Sequence, residues 1–200
     1  MNLRNFGRGI VIAAVSLTLA ACGINSVPAA EENAKAKWAD VEAQFQRRAN
    51  VVPNLAEITK GAGQNERAIL TEVTDARARA TSIQISADEI GDAAKMEEFA
   101  AAQGQLSQGL GRLIASFEAY PEIKSTRNYE VFQEQYERTE NRIAVAVRDY
   151  NEAVRQYNTT IRTFPDTIGA NIIHGAEPLV PYSAVTEGAE EATKIDMTPE

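Results

Sequence analysis

Tyr129, Tyr136, Ile143, Tyr150 and Tyr157 recur every seven residues along one stretch of the chain. Seven residues make about two turns of an α-helix, so the five side chains fall on one line. Phe132, Ala146, Val147, Ala153, Val154 and Ile161 fill the other seam positions. A heptad sustained from about Thr126 to Thr163 predicts a helix packed along its length against others. Aromatic rings bury well while a tyrosine hydroxyl finds a partner, so this row reads as core rather than as a ligand ladder. Phe164-Pro165 stops the helix.

Two further stretches share the 3-4 periodicity. From Glu31 the chain is rich in Ala, Glu, Gln, Arg and Lys, all good helix formers. Its seam runs from Trp38 through Val41, Phe45, Arg48, Val52 and Leu55 to Glu66, Ile69, Val73, Ala76, Ala80 and Ile83 without a slip of frame. Pro53 sits inside it. The unbroken phase argues for a kink there; the cost of an interior proline argues for two helices. The next helix starts either at Ser86-Ala87-Asp88-Glu89, which fits a capping box, or at Gly91-Asp92. Phe99, Gln103, Leu106, Leu110, Leu113 and Phe117 form its seam, and Tyr120-Pro121 ends it. Gly104, Gly109 and Gly111 weaken this helix; they are either close-packing points or merely tolerated. Connections near 84–91 and 119–125 are short, which makes neighbours antiparallel. The expectation is an all-α, antiparallel up-and-down helical bundle over 31–165, with three long helical stretches, the first kinked or split at Pro53.

The ends differ from this middle. Arg4 and Arg8 precede an apolar run of about a dozen residues from Ile10, too short for the ~20 that span a bilayer. The run ends in Leu19-Ala20-Ala21-Cys22, which resembles the lipobox of bacterial lipoproteins. Residues 1–21 are therefore expected to be a cleaved signal peptide, with Cys22 lipidated and 22–30 a flexible tether. Several acyl chains on one cysteine anchor firmly where one holds only marginally. Gly23 stands where an Asp would mark inner-membrane retention, which favours the outer membrane. At the other end, 164–200 holds four of the seven prolines and seven acidic residues against Lys194 alone. Residues 166–184 are apolar enough to dock in part, and 185–200 should be a disordered acidic tail.

Composition narrows the function. One cysteine allows no internal disulfide, and one Cys with one His cannot build the usual zinc or haem set. A net charge of −8 gives no footprint for nucleic acid. No phosphate loop or nucleophile elbow is present, and His174, in the tail, reads as a loop residue rather than a general base. No metal, cofactor or catalytic set is expected. The anomalies are polar residues on apolar seams: Arg48 and Glu66 in the first stretch and Glu140 beside the tyrosine row. Arg48 or Arg47 is expected to pair with Glu118 or Glu140 across helices. Tyrosine hydroxyls and Asn151 or Asn158 would complete a structural polar network.

Several segments, in order, resemble the LemA family of bacterial membrane-associated proteins. They are Trp38, the run Gln46-Arg47-Arg48-Ala49-Asn50-Val51-Val52-Pro53-Asn54-Leu55, Thr59-Lys60-Gly61 and Val73-Thr74-Asp75-Ala76-Arg77. They continue with Glu118-Ala119-Tyr120-Pro121-Glu122-Ile123-Lys124, Thr139-Glu140-Asn141-Arg142-Ile143-Ala144, Tyr150-Asn151, Tyr157-Asn158-Thr159 and Phe164-Pro165. The stretch from Gly175 to Tyr182 is similar to a degraded form of the family's tail. The resemblance implies a bundle described with four helices, which favours a break near Pro53. It carries over no catalytic residues; the candidate interaction or structural polar network read from the residues is Arg47, Arg48, Asn54, Glu118, Tyr120, Glu140, Asn141, Asn151 and Asn158. Many members carry an uncleaved membrane helix where this chain has a lipobox. The resulting expectation is a lipid-anchored scaffold on the periplasmic face of the envelope. It would be held to the membrane through Cys22, contact unidentified envelope proteins and not be an enzyme. The second expectation is a bundle that binds a small ligand or envelope component.

Overall fold

The computed structural model describes residues 3–61 and 63–184, with side-chain surroundings from Asn25 onward apart from Gly61. The expected lipidation at the Cys22 thiol and the expected disorder of 185–200 lie outside that range. The chain is all-helical, with no strand among the described residues. Four long helices dominate: α1 (Leu3–Ile58), α2 (Gln64–Ser82), α3 (Ala93–Ser116) and, after the four-residue α4 (Pro121–Lys124), α5 (Arg127–Thr160). A last short turn, α6 (Asp166–Gly169), continues into a π turn at Ala170–His174. Among the described residues no helix is long and apolar enough to cross a membrane.

The chain does not break at Pro53. Proline lacks the N–H that would bond Ala49 O, yet α1 continues to Ile58. Arg77 of α2 supplies the missing donor, its Nε lying 2.7 Å from the Ala49 carbonyl. The break falls instead at the 3₁₀ turn Thr59–Gly61, and α2 opens after Gly63. Glu66, in its first turn, folds back on the backbone N–H groups of Gly63 and of its own residue, a carboxylate cap on free donors. That explains an acid on an apolar seam.

Helix α3 starts at the later of the two candidate caps. The Asp92 carboxylate accepts from the N–H groups of Ala94 and Lys95. The Ser86–Glu89 pair does form, Glu89 accepting from both the backbone and the hydroxyl of Ser86, but it closes a turn and not a helix. The glycines of α3 divide. A Cβ at Gly109 would stand 3.1 Å from Val73 Cγ2, so α2 packs close there, whereas a Cβ at Gly111 would meet nothing.

Residue pairs fix the helix directions. Ser26 meets Asp166, Trp38 meets Tyr150 and Arg48 meets Glu140, so α1 and α5 run in opposite senses. Ala80 meets Gln103 and Glu72 meets Arg112, so α2 and α3 do likewise. Tyr129, Ile143, Tyr150 and Tyr157 of the heptad row are buried, and Tyr136 is half-buried. The core comes in clusters. One, around Leu55, Val73, Leu106, Leu113, Phe117 and Phe132, lies toward the Thr59–Gly61 end. Another holds Trp38, Phe45, Phe99, Ile143, Tyr150 and Tyr182. A small third joins Val27 to Tyr157, Ile161 and Ala170.

That third cluster corrects the expected tether. Residues 25–30 are helical, continuous with α1, and Val27 is fully buried. The apolar faces of Tyr157 and Ile161 extend the seam past the point where the α1 sequence stops looking amphipathic.

Candidate functional site

Between the two large clusters lies one polar layer. Arg48 is 3% exposed. Its Nη2 donates to Gln103 Oε1 at 2.8 Å and to the Gln103 carbonyl at 3.0 Å, and its Nη1 faces Glu140 Oε1 at 3.5 Å. Gln103, also buried, passes the bonding on, its Nε2 donating to the Ala80 carbonyl of α2. The guanidinium carbon sits 4.9 Å from the centre of the Phe45 ring, a cation–π contact. All four long helices therefore meet at this level. Arg48 Nε is buried without a hydrogen-bond partner.

The layer opens on one side. A cleft of about 370 Å³ is lined by Phe45, Arg48, Gln103, Ser107, Glu140 and Tyr182, among others. Glu140 stands at its mouth, its side chain 32% exposed. Tyr182 closes one wall, its ring 5.5 Å from Phe45 and 6.3 Å from Phe99. Burial pushes the Tyr182 hydroxyl up to about 12, with the Arg48 charge opposing the shift and Glu140 adding to it.

Tyr182 is held there by a ladder. Asn151 donates to the Tyr182 carbonyl at 2.9 Å and accepts from its N–H at 2.8 Å. Asn158 does the same for Leu179, at 2.8 and 2.9 Å. Between them the Tyr150 hydroxyl donates to Val180 O at 2.7 Å, while Val180 N donates to Ile90 O on the α2–α3 connection. Seven residues of helix rise ~10.5 Å and three extended residues ~10 Å, so the two asparagines match the spacing of the segment they grip. The asparagine ladder thus docks the tail over 179–182.

The other expected network members lie apart. Glu118 is exposed and pairs with Lys124 at 2.6 Å, not with Arg47 or Arg48. Arg47 and Asn141 are exposed. Asn54 lines a separate surface hollow beside Asn128 and Phe132. The Tyr120 hydroxyl donates to Glu66 Oε2 at 3.0 Å, tying the α3–α4 connection to the start of α2. Asn151 and Asn158 serve the tail and not the arginine. Arg77 and Gln103 supply polar bonds that the sequence does not mark, although Gln103 stands on its helix's seam. Among the described residues no group of three or more His, Cys, Asp or Glu side chains could hold a metal ion.

A model of the LemA family matches residues 37–197, from the turn before Trp38 past the docked tail. This chain belongs to the LemA family. It is also similar to magnetosome proteins MamQ 1 and MamQ 2 of Paramagnetospirillum magneticum, each 28% identical over 145 residues, covering 64% of this chain and 53% of the relative. Magnetosome protein MamQ of Magnetospirillum gryphiswaldense is 26% identical over 136 residues, 60% of this chain and 50% of the relative. The chain spans about half the length of these curated relatives. The LemA match encloses the polar layer and the asparagine ladder, so both sit on the family domain.

Proposed function

We propose that this LemA-family chain is a lipid-anchored helical module of the bacterial envelope that works by protein contact, as an adaptor or scaffold and not as an enzyme. The architecture we infer is an antiparallel up-and-down bundle of the four long helices. The opposed α1–α5 and α2–α3 pairs support it. The observation that carries the reading is the continuity of α1 from the Cys22 segment into the core. An acylated Cys22 would hold the bundle through a rigid rod, with Ile58 on the order of 50 Å along the helix axis at 1.5 Å per residue. Such a module presents its sides to neighbours on the periplasmic face, and Gly23 favours the outer membrane. The relatives are named as magnetosome proteins; for this chain the parallel is membership of a larger envelope assembly.

The test is Cys22→Ser. Wild type is expected to lose residues 1–21, gain the mass of its acyl chains and fractionate with membranes, while the variant gains no acyl mass. Equal mass and processing for the two proteins overturn the anchor. For the contact role, a photo-crosslinker in place of exposed Arg47, read in intact envelopes, should give a discrete protein adduct. The cleft over Arg48 favours a second reading, binding of a small ligand or envelope component. A compound that copurifies with the chain and is lost on Glu140→Ala would decide for it.

A further inference from the structure

Four large apolar side chains remain in water at one end of the molecule. Phe164 is 76% exposed, Ile168 51%, Ile172 79% and Ile173 56%. Single exposed apolar residues are ordinary; four within ten residues form a patch. The local backbone gathers them. α6 runs straight into the π turn at Ala170–His174. A π turn closes i to i+5, so Ile172 and Ile173 both come round to the side of Ile168. Small residues face the other way: Gly169 and Ala170 are buried, Ala170 against Val27 and Tyr157. The sequence suggests docking for everything from Ile168 to Tyr182, yet before Gly175 only Gly169 and Ala170 are buried, while Ile168, Ile172 and Ile173 stay exposed.

Position says what covers the patch. The Ser26 hydroxyl donates to Asp166 at 2.7 Å, which sets α6 level with the α1 turn that follows Cys22. Asp166 is the only acid between Phe164 and Gly175, and it is the one engaged by Ser26. Cys22 itself lies one turn before Ser26 on α1, at the same end. We infer that the patch of Phe164, Ile168, Ile172 and Ile173 is a bilayer contact, seated at the boundary of headgroups and acyl chains of the membrane that holds Cys22. This rests on the anchored reading above. Acyl chains on one residue leave a body free to pivot; a second contact beside them fixes the tilt of α1 and the side the bundle presents to its neighbours.

Cys22 is the only cysteine, so acylation leaves no thiol and Ile172→Cys creates a single site for an environment-sensitive fluorophore. Ile172 is largely exposed, and circular dichroism checks that the fold is kept. The full chain, purified from membranes, is placed in phosphatidylethanolamine–phosphatidylglycerol vesicles. The expected result is a blue-shifted emission quenched by lipids brominated on their acyl chains. The same probe at Asn128, exposed near the opposite end of α5, should stay water-like and unquenched. A water-like, unquenched probe at 172 overturns the inference. A probe shielded from water but untouched by brominated lipid means that a second copy of the chain covers the patch, and overturns it as well. Failure of the anchor reads out separately, as uptake of label by the wild type at Cys22. The patch is then tested in a Cys22→Ser, Ile172→Cys chain bound to the same vesicles, with the same outcomes deciding.

Discussion

Arg48 is the buried charge at the centre of the polar layer. Its charge is almost wholly out of water, and its bonds run to a buried glutamine and a backbone carbonyl, neither of which has solvent to fall back on. Arg48→Ala is expected to cost about 1–3 kcal/mol in urea unfolding, the penalty for the buried Gln103 acceptors it leaves unsatisfied. Glu140→Gln should cost less than about 1 kcal/mol, because that carboxylate is one-third exposed. Comparable losses for the two would mean that the ion pair, not the Gln103 bonds, holds the layer. The phase of the seam made Arg48 visible in the sequence. Its neighbour Arg47, a helical step of about 100° away, turns to solvent. The partner was harder to read, because pairing charge with charge overlooks a neutral amide on the facing seam. Tyr182 adds a pH dependence. Its folded value near 12 lies above the ordinary tyrosine value of about 10, so the docked tail favours the neutral phenol. Its contribution is complete below pH 10 and fades as pH rises toward 12. Trp38 emission followed through that window should report the tail loosening, and Tyr182→Phe should reduce that alkaline step, the remainder belonging to Tyr150, whose hydroxyl burial also pushes up.

At the scale of elements, α1 shows why proline is an uncertain punctuation mark. Pro53 costs a helix chiefly through the carbonyl it orphans and the clash it makes. Here the carbonyl is answered from another helix, by Arg77, so the rod survives and the joint moves to the glycines that follow. Arg77→Leu is expected to lower stability by about 1–3 kcal/mol, the penalty for an unsatisfied buried acceptor. Hydrogen exchange should show the loss concentrated around Ala49–Pro53, and uniform loosening would contradict this account. Helix existence and the heptad of α5 were legible because they are repeated signals. The joint was not, because it depends on a contact between residues 28 positions apart. The start of α2 was readable in principle: Gly63 with Glu66 three residues on is half of a capping box without its usual serine.

For the whole molecule, the tail unites what the helices alone leave separate. It crosses from α5 to the α2–α3 connection and supplies Tyr182 as a wall of the cleft. Asn151→Ala is expected to speed amide exchange across 179–182 while leaving α2 and α3 protected; release confined to Tyr182 would show the rungs to be independent. The outcome follows from the matching of two rulers. A helix offers an asparagine once every ~10.5 Å, and an extended strand advances ~3.3 Å per residue. Sliding the tail by one residue can bring Pro178 and Pro181 to the two asparagines, and neither has an N–H to give. The register of this segment therefore decides whether Tyr182 stands as a wall of the cleft beside Arg48.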